Sequence, residues 1–414
     1  MRIHRLALKN FKCFKEVDVS FSKITLLTGE NSSGKSSLIY GILVPIQSIS
    51  SYGNSFPLYL SLNKNYANLG GFEDTSFNHN LSNKLGIDLE LSTDYDKYRM
   101  STLWQFDTKN KSLVLNCMGM ANSSYKYLEV KKTDDIHYVA RFHFIDRYSC
   151  FDKTNLSFQT LDDIVNYSNN EFGSLSNDIH GKIDLDDEYI EDKFNFIGSF
   201  RSNPERTYYQ SKSNGKINKD GDGYIDQILD WNDKQSEKLY ELVSLLKTLK
   251  ILYDVKPRKL SGGRFELRVK VKGKSKWESL TDVGFGVSQF LPIIVADLQL
   301  QDNSTLIMSQ PEIHLHPSVQ ANLGNYLVKQ VKERNKNYIV ETHSEYLLNR
   351  MRLLIVKGEI LPEDVAVYYF ENSIKDGSIA HRIEFAKDGR ILNAPKGFFE
   401  TYMIDTMDIA LNAW

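Results

Sequence analysis

The residues from Gly29 to Ser36 read GENSSGKS and fill every fixed position of the pattern G-x-x-x-x-G-K-[ST]. That spacing suits one task, cradling the phosphates of a nucleotide. Gly29 and Gly34 let the backbone wrap an anion, Lys35 reaches toward the β- and γ-phosphates, and Ser36 offers its hydroxyl to Mg²⁺. Glu30, Asn31, Ser32 and Ser33 complete the loop, and Ser37 leads out of it. The octet predicts binding of a nucleoside triphosphate.

The flanks supply the elements such a loop requires. Ser22 to Thr28 is β-branched and apolar, a short strand, and Ser37 to Leu43 opens a helix that Pro45 is expected to disturb or end. Strand, glycine turn and helix N-terminus together aim backbone N–H groups at one spot, where the helix dipole favours an anion. A second set of motifs lies in the C-terminal half. Thr305 to Ser309 reads as a buried strand and is followed by Gln310-Pro311-Glu312-Ile313-His314-Leu315-His316-Pro317. Asn337 to Val340 is another apolar strand, ending in Glu341-Thr342-His343-Ser344. Upstream of both, Leu280 to Gln289 runs into an apolar helix, Phe290 to Leu300.

This order resembles the ABC-type ATPase heads of the RecF, structural-maintenance-of-chromosomes and OLD (overcoming lysogenization defect) group. Within it the chain is most similar to stand-alone bacterial AAA family ATPases with an acid-Gln-Pro-Glu-x-His-Leu-His-Pro Walker B segment, as found in two-component phage-defence systems. The similarity covers the N-terminal strands, the phosphate loop and Phe196 to the C-terminus, including Leu69 to Asp74, Ile197 to Arg206 and Asn393 to Phe399. It implies an α/β fold: an ABC-type P-loop ATPase head with an antiparallel β layer, built from residues 1–75 and 196–414. Residues 76–195 would be an inserted β-rich and irregular region. It implies ATP and Mg²⁺ as cofactors, with Ser36 the metal's protein anchor. Gly284, Gly286, Ser288 and Gln289 would be the signature that contacts, in trans, the γ-phosphate held by an opposite subunit, so that nucleotide closes a homodimer, with higher oligomers left open. His343 matches the histidine that senses the γ-phosphate, and the segment around His314 and His316 matches the D-loop.

Several residues invite a second reading. Leu260-Ser261-Gly262-Gly263-Arg264 is closer to the common LSGGQ signature string, but its sequel alternates with period two from Phe265 to Val271, which is a strand and points no helix dipole at a phosphate. His314 and His316 share one face of an extended segment and could hold a metal, although no third ligand is evident. Arg201 and Arg206 are candidates to stabilise phosphate charge. The Q-loop equivalent falls near Gly70 to Asp74, with Gln47 the weaker alternative. The departure from the family is at Walker B, where Ser309-Gln310 replaces the Asp-Glu pair and Glu312 is the nearest acid. Gln310, Glu312 and His343 are therefore the catalytic candidates of a slow ATPase.

Elsewhere, Gly86 to Leu91, Ser112 to Leu115 and Tyr138 to Phe144 alternate as strands of a β layer, while residues 146–192, acidic and asparagine-rich, read as loops with a short helix. The 414 residues are 41% hydrophobic, enough for about two or three domains. A formal net charge of -2 gives no global field for nucleic acid, which leaves a local basic patch open. Cys13, Cys117 and Cys150 follow no metal spacing and read as free thiols of a cytoplasmic protein. No apolar run reaches the ~20 residues of a membrane span. The leading expectation is a regulatory, sensor or scaffold subunit with a separate effector, a nuclease or toxin. About seventy residues follow His343, short for a nuclease domain of the OLD kind, so nuclease activity would come in trans. The alternative is a RecF-like ATPase whose business is DNA structure or repair.

Overall fold

The structure is a computed structural model that describes residues 1–49, 60–123, 126–134, 137–145, 150–161, 163–164, 166–167, 187–209, 215–373, 375–395, 398 and 411. The chain forms two compact units: Met1–Phe21 with Ser32–Lys193 and Glu371–Ala380, and Ser22–Asn31 with Phe194–Phe370 and His381–Trp414.

The second unit is organised around parallel strands. In spatial order these are Phe194–Ile197, Thr305–Ser309, Asn337–Glu341, Ile24–Gly29 and the first part of Val365–Ser373. Thr305–Ser309 and Asn337–Glu341 are buried at every position, which is why they read as unbroken apolar runs rather than alternations. Helices Phe285–Gln299, Pro317–Arg334 and Glu345–Val356 belong to the same unit. The carboxyl ends of open parallel strands are where α/β folds bind ligands. Here they deliver Gly29, Gln310 and Thr342 to one edge of the sheet. A buried polar cluster fastens the helix Phe285–Gln299 to the strand Asn337–Glu341. Asp297 accepts hydrogen bonds from Tyr326 and from Tyr338 (3.1 Å), and the Lys336 ammonium lies 3.3 Å from its carboxylate. Burial pushes both tyrosines well above their ordinary range. A smaller sheet in the same unit pairs Asp254–Lys259, Arg264–Lys270, Tyr208–Tyr209 and Glu278–Ser279.

The first unit is an antiparallel layer. Arg2–Phe11 lies between Phe14–Ser20 and Leu85–Ser92, and the ladder continues through Lys97–Asp107, Ser112–Asn122, Lys126–Lys132, Tyr138–Ile145 and Cys150–Phe158. Leu85–Ser92 alternates buried and half-buried residues, as its sequence does. Helix Lys35–Ile49 packs on Arg2–Phe11 at Gly41, where a Cβ would meet Leu8 at 2.6 Å.

Two expectations need correction. Pro45 neither ends nor breaks its helix, which runs on to Ile49. Nearly all of that helix is buried, including Leu43, Val44 and Ile46, and packing outweighs the one hydrogen bond a proline forfeits. Residues 150–158, read as loop, form a strand paired with Tyr138–Ile145. Their asparagines and charges hid an element specified by its neighbour. The short helix expected nearby is Asp187–Lys193. Lys396, Gly397 and Phe399 of the family-like tail lie outside the described residues.

Candidate nucleotide site

The phosphate loop has the backbone its glycines promise. Gly29 leaves the strand with φ +133°, and a Cβ there would lie 2.2 Å from the Phe370 carbonyl oxygen. Gly34 has φ +104°, with Cys13 Sγ and Phe14 each 2.8 Å from where a Cβ would sit. Ser32 also takes a left-handed conformation, φ +59°, and its carbonyl accepts from the Asn372 amide at 3.4 Å. The helix begins at Lys35, has no acidic residue in its first turn, and is entered by a Leu38 N–H to Gly34 carbonyl bond of 2.9 Å. Glu30, Asn31, Ser32 and Ser36 are exposed, whereas Ser33, Gly34 and Lys35 are buried, with Lys35 Nζ 3.5 Å from Ser33 Oγ. A wrapped backbone, an acid-free helix N-terminus, one lysine and an exposed hydroxyl fit a triphosphate with its magnesium. Gly34→Ala combines a left-handed backbone with a steric conflict. It should lower stability by about 1–3 kcal/mol, read as a drop in thermal midpoint.

In the second unit, Ser309 is buried and in register with Glu341 on the neighbouring strand. Gln310 turns the chain with φ +48°; its N–H donates to the Glu341 carbonyl at 2.7 Å. Its own carbonyl accepts from Arg201 Nη2 at 2.8 Å. That turn brings Glu312 beside the other strand end, where Glu312 Oε1 accepts the His343 N–H at 2.7 Å. Glu312 Oε2 is buried and has no hydrogen-bond partner, and the same holds for Arg201 Nε and Nη1. Burial raises the Glu312 carboxyl above its ordinary range, and the His343 N–H, its own N–H, the nearby Thr342 hydroxyl and the Arg201 charge pull back only in part. Burial lowers the Arg201 guanidinium to about 10, with the Glu312 charge opposing. Arg206, by contrast, is exposed and paired with Asp282 at 2.6 Å.

The His343 residue is exposed at the mouth of its strand. Thr342 N–H donates to the Leu27 carbonyl at 2.9 Å, which ties this strand end to the strand that feeds the phosphate loop. Ser344 caps the next helix through the Leu347 N–H and hydrogen-bonds Gln320 at 2.6 Å.

The signature segment does open a helix, Phe285–Gln299, with Gly284 as N-cap; it starts five residues before the expected Phe290. Gly284 and Phe285 are exposed. Ser288 is buried, and its hydroxyl donates to the Phe285 carbonyl at 2.8 Å. Gln289 is buried as well, with its amide 3.5 Å from the Arg201 carbonyl. At Gly286 a Cβ would lie 2.3 Å from the His314 carbonyl oxygen, and the Phe285 and His314 rings meet edge to face at 5.0 Å. The competing Leu260-to-Arg264 string is a turn between antiparallel strands.

A family model described as an AAA ATPase domain matches residues 1–348. The chain belongs to the AAA ATPase domain family. It is thus an ATPase of mixed α/β, P-loop fold, and a second model, a protein family of unknown function, matches residues 360–409 of this AAA ATPase. No curated protein matches it. Among solved structures, the SMC head domain from Thermotoga maritima is similar at 13% identity and a TM-score of 0.41, covering 92% of this chain and 98% of that one. An SmcHead bound to the C-winged helix domain of ScpA is similar at 13% identity and a TM-score of 0.43, covering 94% and 99%. No helix among the described residues is long and apolar enough to cross a membrane.

The remaining candidates in this AAA ATPase have local explanations. His316 caps the helix Pro317–Arg334, its Nδ1 accepting the Ser318 N–H at 3.3 Å, and His314 packs on Phe285. Among the described residues no three His, Cys, Asp or Glu side chains cluster to hold a metal. Gln47 is buried and spends its amide on the Ser61 and Ala67 backbone. In the Gly70-to-Asp74 turn, Asp74 accepts the Gly71 N–H at 2.8 Å. Cys13 and Cys117 are free thiols. Sequence reasoning missed Glu341, a carboxylate buried at a strand end. Its signal was a lone acid closing an apolar run.

Proposed function

We propose that this AAA ATPase is a slow nucleotide switch: it binds ATP through Gly29 to Ser37, hydrolyses it with Glu312 as base, and signals to a separate effector. The observation that carries this reading is the Walker B segment. Ser309 and Gln310 lack carboxylates; of the two buried acids at these strand ends, Glu341 lies in register with Ser309, and Glu312 is the one with a raised pKa and an Oε2 that accepts no hydrogen bond. Lys35 and the loop N–H groups hold the β- and γ-phosphates, and Ser36 anchors Mg²⁺, which when bound neutralises phosphate charge. Glu312 Oε2 accepts the proton of the attacking water; Gln310, an amide, can orient that water but cannot take its proton. His343 reports the γ-phosphate, and Arg201 holds the Gln310 carbonyl in place.

In this reading residues 1–75 and 196–414 form the working head and residues 76–195 an insert. Two heads associate around nucleotide through the signature turn of each. The effector is a nuclease or toxin encoded separately, in a cytoplasmic anti-phage system. The burial of Ser288 shifts the partner-facing role to Gly284 and Phe285 at the exposed helix start. Gly284 has an ordinary backbone, φ −54°, and nothing within 4 Å of a Cβ, so Gly284→Arg should fold normally. It should bind ATP as monomer and fail to associate with a non-hydrolysable analogue, as read by light scattering. Wild-type protein that associates equally with and without nucleotide would rule the switch out.

A further inference from the structure

The chain as a whole carries a formal net charge of -2, yet residues 247–277 hold eleven lysines and arginines against two carboxylates. The fold gathers them instead of dispersing them. Strands Asp254–Lys259 and Arg264–Lys270 pair antiparallel, with Lys256 opposite Arg268 and Arg258 opposite Glu266. Phe265, Leu267 and Val269 take the buried face, so the intervening positions of the period-two pattern share the other face. Glu266 is spent between Arg258 (2.7 Å) and Arg268 (3.1 Å), and Lys259 pairs with Asp233 at 2.8 Å. Among the described residues, Lys247, Lys256, Lys270, Lys272, Lys274 and Lys276 have no carboxylate partner. Four of the stacking contacts run over two rings. Lys256 lies 4.2 Å and Lys270 5.8 Å from the centre of Trp277, and Lys247 lies 4.5 Å and Lys270 5.9 Å from that of Tyr253.

We infer that this face of the small sheet binds the phosphodiester backbone of nucleic acid, without regard to sequence. Cation-on-ring stacking holds lysine stems down along the strands while their ammonium groups stay available. Side chains on one face of a strand repeat every ~6.8 Å, so the seven-residue strand Arg264–Lys270 lays a track of about 20 Å, the length of about six phosphates along one strand of a duplex. Glu266 interrupts that track and is offset by Arg258 and Arg268, and Asp254 lies opposite Lys270. The excess positive charge a polyanion would meet therefore comes from Lys256, Arg264, Lys270 and the tip lysines Lys272, Lys274 and Lys276. A membrane surface is the competing anionic partner, since Val271 and Tyr253 are exposed among the lysines and Trp277 closes the tip. The rings here are covered by lysine ammoniums, which favours the polyanion, and anionic vesicles are an arm of the test. The inference is independent of the effector reading, since none of these lysines belongs to the nucleotide site.

The test is fluorescence anisotropy with labelled DNA of about 30 base pairs and a single strand of the same length, from ~50 to ~200 mM salt. The variant is Lys272→Glu/Lys274→Glu/Lys276→Glu, three exposed positions beyond the strand ends. It should keep its melting temperature and its affinity for an ATP analogue and bind both nucleic acids at least tenfold more weakly. Its slope of log affinity against log salt should be shallower by about two to three on the duplex, at ~0.9 per phosphate contact. A control, Lys329→Glu/Lys357→Glu/Lys387→Glu, makes the same charge change at exposed positions elsewhere in the unit and should bind like wild type. The proposal is overturned if wild-type protein binds neither nucleic acid at the lowest salt, if the two triple variants weaken binding equally, or if vesicles containing phosphatidylserine are bound more tightly than DNA.

Discussion

Lys35→Ala should yield a folded chain with no measurable affinity for ATP. Lys35 opens the helix after the loop, is buried, and is the one fixed cation of the octet. Hydrogen bonds to a charged group contribute about 1.5–3 kcal/mol each. Losing two therefore weakens binding by roughly 10²–10⁴, at ~1.4 kcal/mol per factor of ten. The loop N–H groups and the helix dipole remain but cannot make up a full charge. Equilibrium titration with a fluorescent ATP analogue measures the loss, and a thermal melt confirms that the chain is folded. Affinity within a few-fold of wild type would mean that the octet is not a phosphate loop.

The second large effect concerns turnover. Wild-type phosphate release should run well below one per second, Glu312→Gln should lower it by about 10²–10⁴, and Gln310→Glu should raise it. The opposite signs follow from chemistry: one change removes the base and the other restores a carboxylate at the family's usual place. Because burial raises Glu312, the rate should climb with pH through a limb displaced above the ordinary carboxylate range, as the carboxyl ionises. That limb should vanish in Glu312→Gln. Fast wild-type turnover, or indifference to both substitutions, would place the base elsewhere.

What was legible in the sequence was local. The phosphate loop is eight contiguous residues whose glycines dictate their own backbone, and alternation foretold Leu85–Ser92 because one side of that strand faces a core. The string after Gly263 was read as a strand for the same reason, and it is one. What escaped depends on distant partners. Arg201 meets the Gln310 carbonyl across 109 positions of chain, and no spacing rule reports that. The burial of Ser288 is set in the fold, where Gly286 lies against the His314 backbone. Pro45 looked like a stop because propensity is local, while the packing that overrides it is not.

The Glu312 carboxylate is asymmetric, and that gives its chemistry a direction. Oε1 already accepts a peptide N–H that cannot titrate, whereas Oε2 accepts no hydrogen bond, so Oε2 is the oxygen at which a proton displaces nothing. Under the proposed mechanism, a proton taken there would turn the same atom from acceptor to donor. Taking the proton and returning it would then share one oxygen, and the residue would reset without rotating. The donor is the backbone of position 343, not its ring, so His343→Ala keeps this polarity and isolates the ring's own contribution, whereas His343→Pro deletes the N–H and with it that bias between the two oxygens.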